Sequence, residues 1–141
     1  MRSIESLDWP VLVCDDSSLN QNIFQRFLKQ VGISNVSLAD EGASALQWLL
    51  QYAKTSAKSK RHIRRPFVIL DMSMPVLDGL KTAELWRDIE KSLNIPRACI
   101  VLVSAMSDDV ASPHLDHYLK KPLLLSDLSA VFAKFRSNNP Q

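Results

Sequence analysis

Apolar residues in this chain fall in four short, nearly unbroken runs: Val11–Cys14, Val36–Ala39, Phe67–Leu70 and Ile100–Val103. Their lengths suit strands. Three are apolar at nearly every position, the pattern of strands covered on both faces in a parallel sheet. A weaker fifth run is His117-Tyr118-Leu119. Between the runs the apolar spacing changes from continuous to three-or-four. Ile23, Phe24, Phe27, Leu28 and Val31 form one such stripe, with Gly32 as its C-terminal stop. Ala43, Leu46, Leu49 and Leu50 form a second, and Ala83, Trp86, Ile89 and Leu93, ending before Pro96, a third. Leu128, Val131, Phe132 and Phe135 form a fourth, entered through Ser126-Asp127. All four stripes are read as core-facing. Strands alternating with helices predict right-handed βαβ units: an α/β fold with a five-stranded parallel sheet and helices on both faces.

Two stretches break the rhythm. Residues 53–65 are polar and carry Lys54, Lys58, Lys60, Arg61, Arg64 and Arg65, which reads as an extended loop insertion with a prolonged helix end. Residues 106–114 are short and interrupted by Pro113, so a helix between the fourth and fifth strands is limited to about residues 107–112, short or degenerate.

Composition adds little to this pattern but excludes some classes. The chain has 141 residues, 46% hydrophobic and 23% charged, which fits one globular domain. No apolar run approaches the roughly 20 residues that span a bilayer, so no membrane insertion is expected. The first ten residues include Glu5 and Asp8 and lack an apolar core, unlike a signal peptide, so a cytoplasmic location is expected. Cys14 and Cys99 each adjoin an apolar run and read as buried, reduced thiols. The basic stretch could meet an acidic partner or nucleic acid. It holds no aromatic residue except His62, so base stacking has little support and a solvated loop is the favoured reading.

The chemistry gathers where strands end. In open α/β sheets functional groups collect at the C-terminal edge of the strands. Here the first strand ends in Asp15-Asp16, the third in Asp71 and the fourth in Ser104, and the fifth runs into Lys120-Lys121-Pro122. Three carboxylates held together repel one another, which a hard divalent cation such as magnesium relieves. A carboxylate can also attack phosphorus, with the metal and a lysine offsetting the charge on the transferring group.

These residues resemble the receiver domain of two-component response regulators, including receiver modules of hybrid histidine kinases. The segments that carry the resemblance are 11–21 (VLVCDDSSLNQ), 68–80 (VILDMSMPVLDGL), 101–105 (VLVSA) and 117–123 (HYLKKPL), within roughly residues 9–136. The resemblance implies a single flavodoxin-like receiver domain over 1–141 and a phosphorylation switch rather than an enzyme. It implies that Asp71 is the phosphoacceptor and that Asp16 and Asp15 hold Mg2+ (or Mn2+) together with Asp71 and the backbone carbonyl of Ser73. It implies Ser104 as the switch hydroxyl, Lys121 as the phosphate-pairing lysine and Tyr118 as the switching aromatic. Pro75 and Gly79 match the turn after the phosphorylation site, with Asp78-Gly79 permitting a tight backbone. Lys120 is expected to point away, since adjacent strand residues face opposite sides. The implied partner is a histidine kinase or histidine phosphotransfer protein, with nucleic acid not expected and no reader domain among these residues.

Blander and rival readings stand beside these. Asp15-Asp16 could cap a helix, Ser104 could be a plain strand-end hydroxyl, and Tyr118 could be a fixed core aromatic. A haloacid-dehalogenase-type phosphatase also uses an Asp nucleophile and magnesium, but wants an acid–base Asp two residues on, where this chain has Ser73. A receiver-fold binding module independent of phosphorylation is the remaining alternative.

Overall fold

The computed structural model describes residues 9–59, 64–105 and 111–138. The elements run β1 (Val11–Cys14), α1 (Ser18–Gln30), β2 (Val36–Ala39), α2 (Gly42–Ser59), β3 (Phe67–Asp71), α3 (Gly79–Leu93), β4 (Cys99–Ser104), β5 (His117–Lys120) and α4 (Leu125–Asn138). The five strands form one parallel sheet in the order β2-β1-β3-β4-β5. β1, β3 and β4 are buried at every position, as their unbroken apolar runs require, whereas the edge strands β2 and β5 are largely half-buried.

Alternate strand residues feed two cores. Val11, Val13, Phe67, Ile69, Val101 and Val103 pack against Phe24 and Leu28 of α1 and Leu128, Phe132 and Phe135 of α4. Leu12, Cys14, Val68, Leu70, Ile100 and Leu102 pack against Leu49 of α2 and Ala83 and Trp86 of α3. Two helices therefore cover each face. Ser17 caps α1 by accepting from the Asn20 amide at 3.2 Å, and Asp78 caps α3 by accepting from the Lys81 amide at 2.8 Å. Gly32 follows α1 at φ 99°, the left-handed conformation that suits a helix stop.

Not every stripe residue faces the core. Ile23, Leu50 and Leu93 are exposed, and Ala45 and Ala53 take the buried phase of α2. On α3 the buried face includes Arg87 and Glu90, which the apolar pattern could not place. They form a salt bridge at 3.0 Å, and the burial is tolerable because both are saturated with partners.

The two irregular stretches resolve differently. α2 continues to Ser59, so the helix end is prolonged into the basic stretch, and residues 60–63 lie outside the described residues. Arg64 and Arg65 are not solvated loop residues. Their guanidinium groups lie over the rings of Trp9 and Phe135, at 5.3 and 5.6 Å, and Arg65 Nε donates to the Arg97 carbonyl at 2.6 Å. Between β4 and β5, residues 111–116 form no helix, and most of the short helix expected at about 107–112 lies outside the described residues. Cys14 and Cys99 are buried, unpaired thiols, each pushed up to about 12, chiefly by burial.

Candidate functional site

Strand register builds the site. Cys14 is level with Leu70, so Asp15, one residue further, stands beside Asp71. Asp71 is in turn level with Val103, and Ser104 with Lys120. The amide of Lys121 donates to the Ser104 carbonyl at 2.8 Å, carrying the ladder one residue past β5. The residues singled out in the sequence thus meet at the C-terminal rim of the sheet.

Asp15, Asp16 and Asp71 each offer an oxygen within 4.8 Å of the others, a spacing one cation can bridge. Asp15 and Asp71 are buried, and Asp16 is exposed. Asp15 Oδ1 accepts from the Ser17 amide at 2.9 Å, but its buried Oδ2 accepts no hydrogen bond from the described residues. Burial, and next the charge of Asp71, push the Asp15 carboxyl above its ordinary range, against the Ser17 amide and Lys121, which pull it down. An orphaned carboxylate oxygen among three acids is a poor arrangement for a protein alone and a good one for an oxygen-seeking cation. Asp71 Oδ1 lies 2.8 Å from Lys121 Nζ, an ion pair that lacks hydrogen-bond alignment.

A cleft of about 440 Å³ opens between Asp16 and the loop after β3, lined by Met72, Ser73, Met74, Pro75 and Asp78. Ser73 and Asp16 thus line the same cleft. Ser104 is buried at the end of β4. Tyr118 is half-buried and packs against the core beneath α2 and α3, while Lys120 is exposed.

The loop's tight geometry differs in detail from the sequence reading. Gly79 does not supply a turn: it is the first residue of α3, and its lack of a side chain lets the helix press on β3. A Cβ there would lie 2.6 Å from the Asp71 carbonyl oxygen and 2.5 Å from Leu102 Cδ1. The left-handed residue is Val76, at φ 70°.

Gln21 is a site-supporting residue that sequence reasoning missed. It is buried, and its Nε2 donates to the Asp15 carbonyl at 2.7 Å and to Asp40 Oδ1 at 3.0 Å, tying α1 to the ends of β1 and β2. The available signal was phase: Gln21 precedes Phe24 and Leu28 on the buried stripe of α1.

The model of the response regulator receiver domain matches residues 11–133, and the chain belongs to this family. It is a receiver domain of two-component phosphorelay systems, the class that the sheet order and the acidic rim define. It is similar to hybrid signal transduction histidine kinase A of Dictyostelium discoideum, 27% identical over 137 residues, which are 91% of this chain and 6% of that protein. It is also similar to the osmosensing histidine protein kinase SLN1 of Saccharomyces cerevisiae, 25% identical over 89% of this chain and 10% of that one. The chain thus spans a small fraction of these relatives' length. Among solved structures, the receiver domain of the histidine kinase CKI1 of Arabidopsis thaliana, complexed with Mg2+ and BeF3−, superimposes with a TM-score of 0.77 at 26% identity, covering 95% of this chain and 94% of that one.

Proposed function

We propose that Asp71 accepts the phosphoryl group, from a phosphohistidine on a histidine kinase or histidine phosphotransfer protein. The observation that carries this reading is the buried Asp71 carboxylate, paired to Lys121 at 2.8 Å and within 4.8 Å of Asp15 and Asp16. A carboxylate oxygen of Asp71 forms the bond to phosphorus as the phosphorus–nitrogen bond of the donor breaks and the imidazole leaves. Asp15, Asp16, Asp71 and the Ser73 carbonyl would hold Mg2+, with Mn2+ as a substitute. The bound cation supplies charge neutralisation for the transferring group. Lys121 pairs with a phosphoryl oxygen, and the Ser104 hydroxyl donates to another. The movement of Ser104 and Tyr118 then biases the surface that a downstream protein reads. The chain acts as a regulator whose turnover is limited to slow loss of its own phosphoryl group, in the cytoplasm.

The test uses the purified chain with Mg2+ and acetyl phosphate, read by intact mass. The expected result is one acid-labile phosphoryl adduct, absent from Asp71→Asn. An adduct that persists in Asp71→Asn would overturn the assignment. The CKI1 receiver complex with BeF3−, together with the relatives' descriptions as histidine kinases, supports the switch reading.

A further inference from the structure

β5 has a selection problem. Among the described residues it is a four-residue edge strand paired only with β4, and two lysines, Lys120 and Lys121, stand together at its end. A one-residue change of register would exchange the faces of Tyr118 and Leu119 and remove Lys121 from Asp71. What holds β5 at its height lies at the opposite rim. The Asp116 amide donates to the Ile100 carbonyl at 2.9 Å, and the Ile100 amide donates back to Asp116 Oδ2 at 2.9 Å, closing a ring immediately before β5.

Arg87 grips this ring. Its Nη2 donates to Asp116 Oδ2 at 2.8 Å, its Nε to the His114 carbonyl at 3.0 Å and its Nη1 to the Ala98 carbonyl at 2.9 Å. Glu90 fixes the guanidinium in turn, at 3.0 Å to both carboxylate oxygens. Trp86 Nε1 donates to Glu90 at 3.0 Å, and so does the Ala98 amide, at 2.6 Å. The first turn of the same helix presses on Asp71 through Gly79. α3 therefore makes two separate contacts: its start lies against Asp71, and its third turn holds the entry of the strand that delivers the lysine.

We propose that Arg87 and Asp116 are positioning residues for Lys121, setting the height of β5 so that this lysine reaches Asp71. The inference rests on the reading of Asp71 and Lys121 given above. A merely structural network would lower stability and disturb the whole rim. A positioning network acts through Lys121 alone.

A double-mutant cycle separates the two. Phosphorylation of the purified chain by acetyl phosphate with Mg2+ is timed for Asp116→Asn with and without Lys121→Met. Asp116→Asn slows phosphorylation about tenfold, equivalent to about 1.4 kcal/mol, when Lys121 is present, and causes no further loss when it is Met. Its Mg2+ affinity, measured by calorimetry, stays that of the parent, because the three carboxylates keep their places. Arg87→Lys retains the charge but not the planar fork; it shows the same pattern and serves where Asp116→Asn does not fold. Equal slowing in both backgrounds, an unchanged rate, or a loss of Mg2+ affinity matching the loss of rate overturns the proposal. Failure of the unsubstituted chain to take the phosphoryl group overturns the phosphoacceptor reading, and this one with it.

Discussion

Gly79 lies against the backbone of Asp71 so closely that a Cβ at position 79 would stand 2.6 Å from the Asp71 carbonyl oxygen. The Gly79 amide also donates to the Met72 carbonyl at 2.9 Å. The end of β3 and the start of α3 are thus one tight unit around the acidic rim, and the neighbouring backbone has no flexible side-chain end to yield.

Gly79→Ala is accordingly destabilising. Replacing a helical glycine by alanine ordinarily gains up to about 1 kcal/mol. Here the added methyl meets backbone and Leu102, an overpacking that costs about 1–3 kcal/mol. A lower urea midpoint with an unchanged m-value is the expected outcome, with slower phosphorylation because Asp71 is displaced.

Val76→Asn changes the same loop in the opposite direction. Val76 is β-branched, 97% exposed and at φ 70°, with the Leu77 amide donating back to the Pro75 carbonyl at 2.8 Å. No packing is lost by replacing it, and Asn tolerates the left-handed region that Val does not. The variant gains about 1 kcal/mol in denaturant unfolding. A loss of stability would show that the valine contributes something beyond its strain.

Asp15→Asn separates the cost of the acidic cluster from its use. Without metal the variant is more stable than the parent, since a buried carboxylate with an orphaned oxygen becomes neutral. With Mg2+ the order reverses. Its affinity falls at least about tenfold, or about 1.4 kcal/mol, in calorimetry, and the metal-dependent rise in melting temperature shrinks with it. Removing Mg2+ from the parent with a chelator lowers its melting temperature.

His117 contributes a pH dependence with a definite sign. Burial, with the charge of Lys134 adding to it and Asp116 opposing, lowers its pKa below the ordinary 6.5. The unfolded chain therefore takes up the proton first as pH falls. The stabilisation from the neutral ring is present above about pH 6.5 and fades below it, through the lowered folded value. Between about pH 7.5 and about pH 5.5 the urea midpoint of the parent should fall relative to that of His117→Gln. A constant gap would refute the assignment.

Much of this molecule follows from one-dimensional pattern. The apolar runs determine β1, β3 and β4 because a strand covered on both faces needs apolar residues at successive positions; Asp15, Asp16, Asp71 and Ser104 are legible because each follows such a run, and Lys121 because it stands just past the weaker fifth one. Tertiary structure decided what pattern cannot carry. Arg87 and Glu90 look like surface residues of α3 until Ala98, His114 and Asp116, distant in sequence, supply their partners. Arg64 and Arg65 look like loop charges until Trp9 and Phe135 lie beneath them. Gly79 looks like a turn residue until β3 is packed against it. The physical reason is common to all of these: periodicity records which side of an element avoids water, whereas the partner of a polar group, and the space left for a Cβ, are set by elements that meet only in the folded chain. The sequence alone determined that an acid, two companion acids and a lysine share a rim. The folded chain decided the geometry of that rim: Lys121, already singled out over Lys120, stands 2.8 Å from Asp71, and Arg87 and Asp116 hold the entry of its strand.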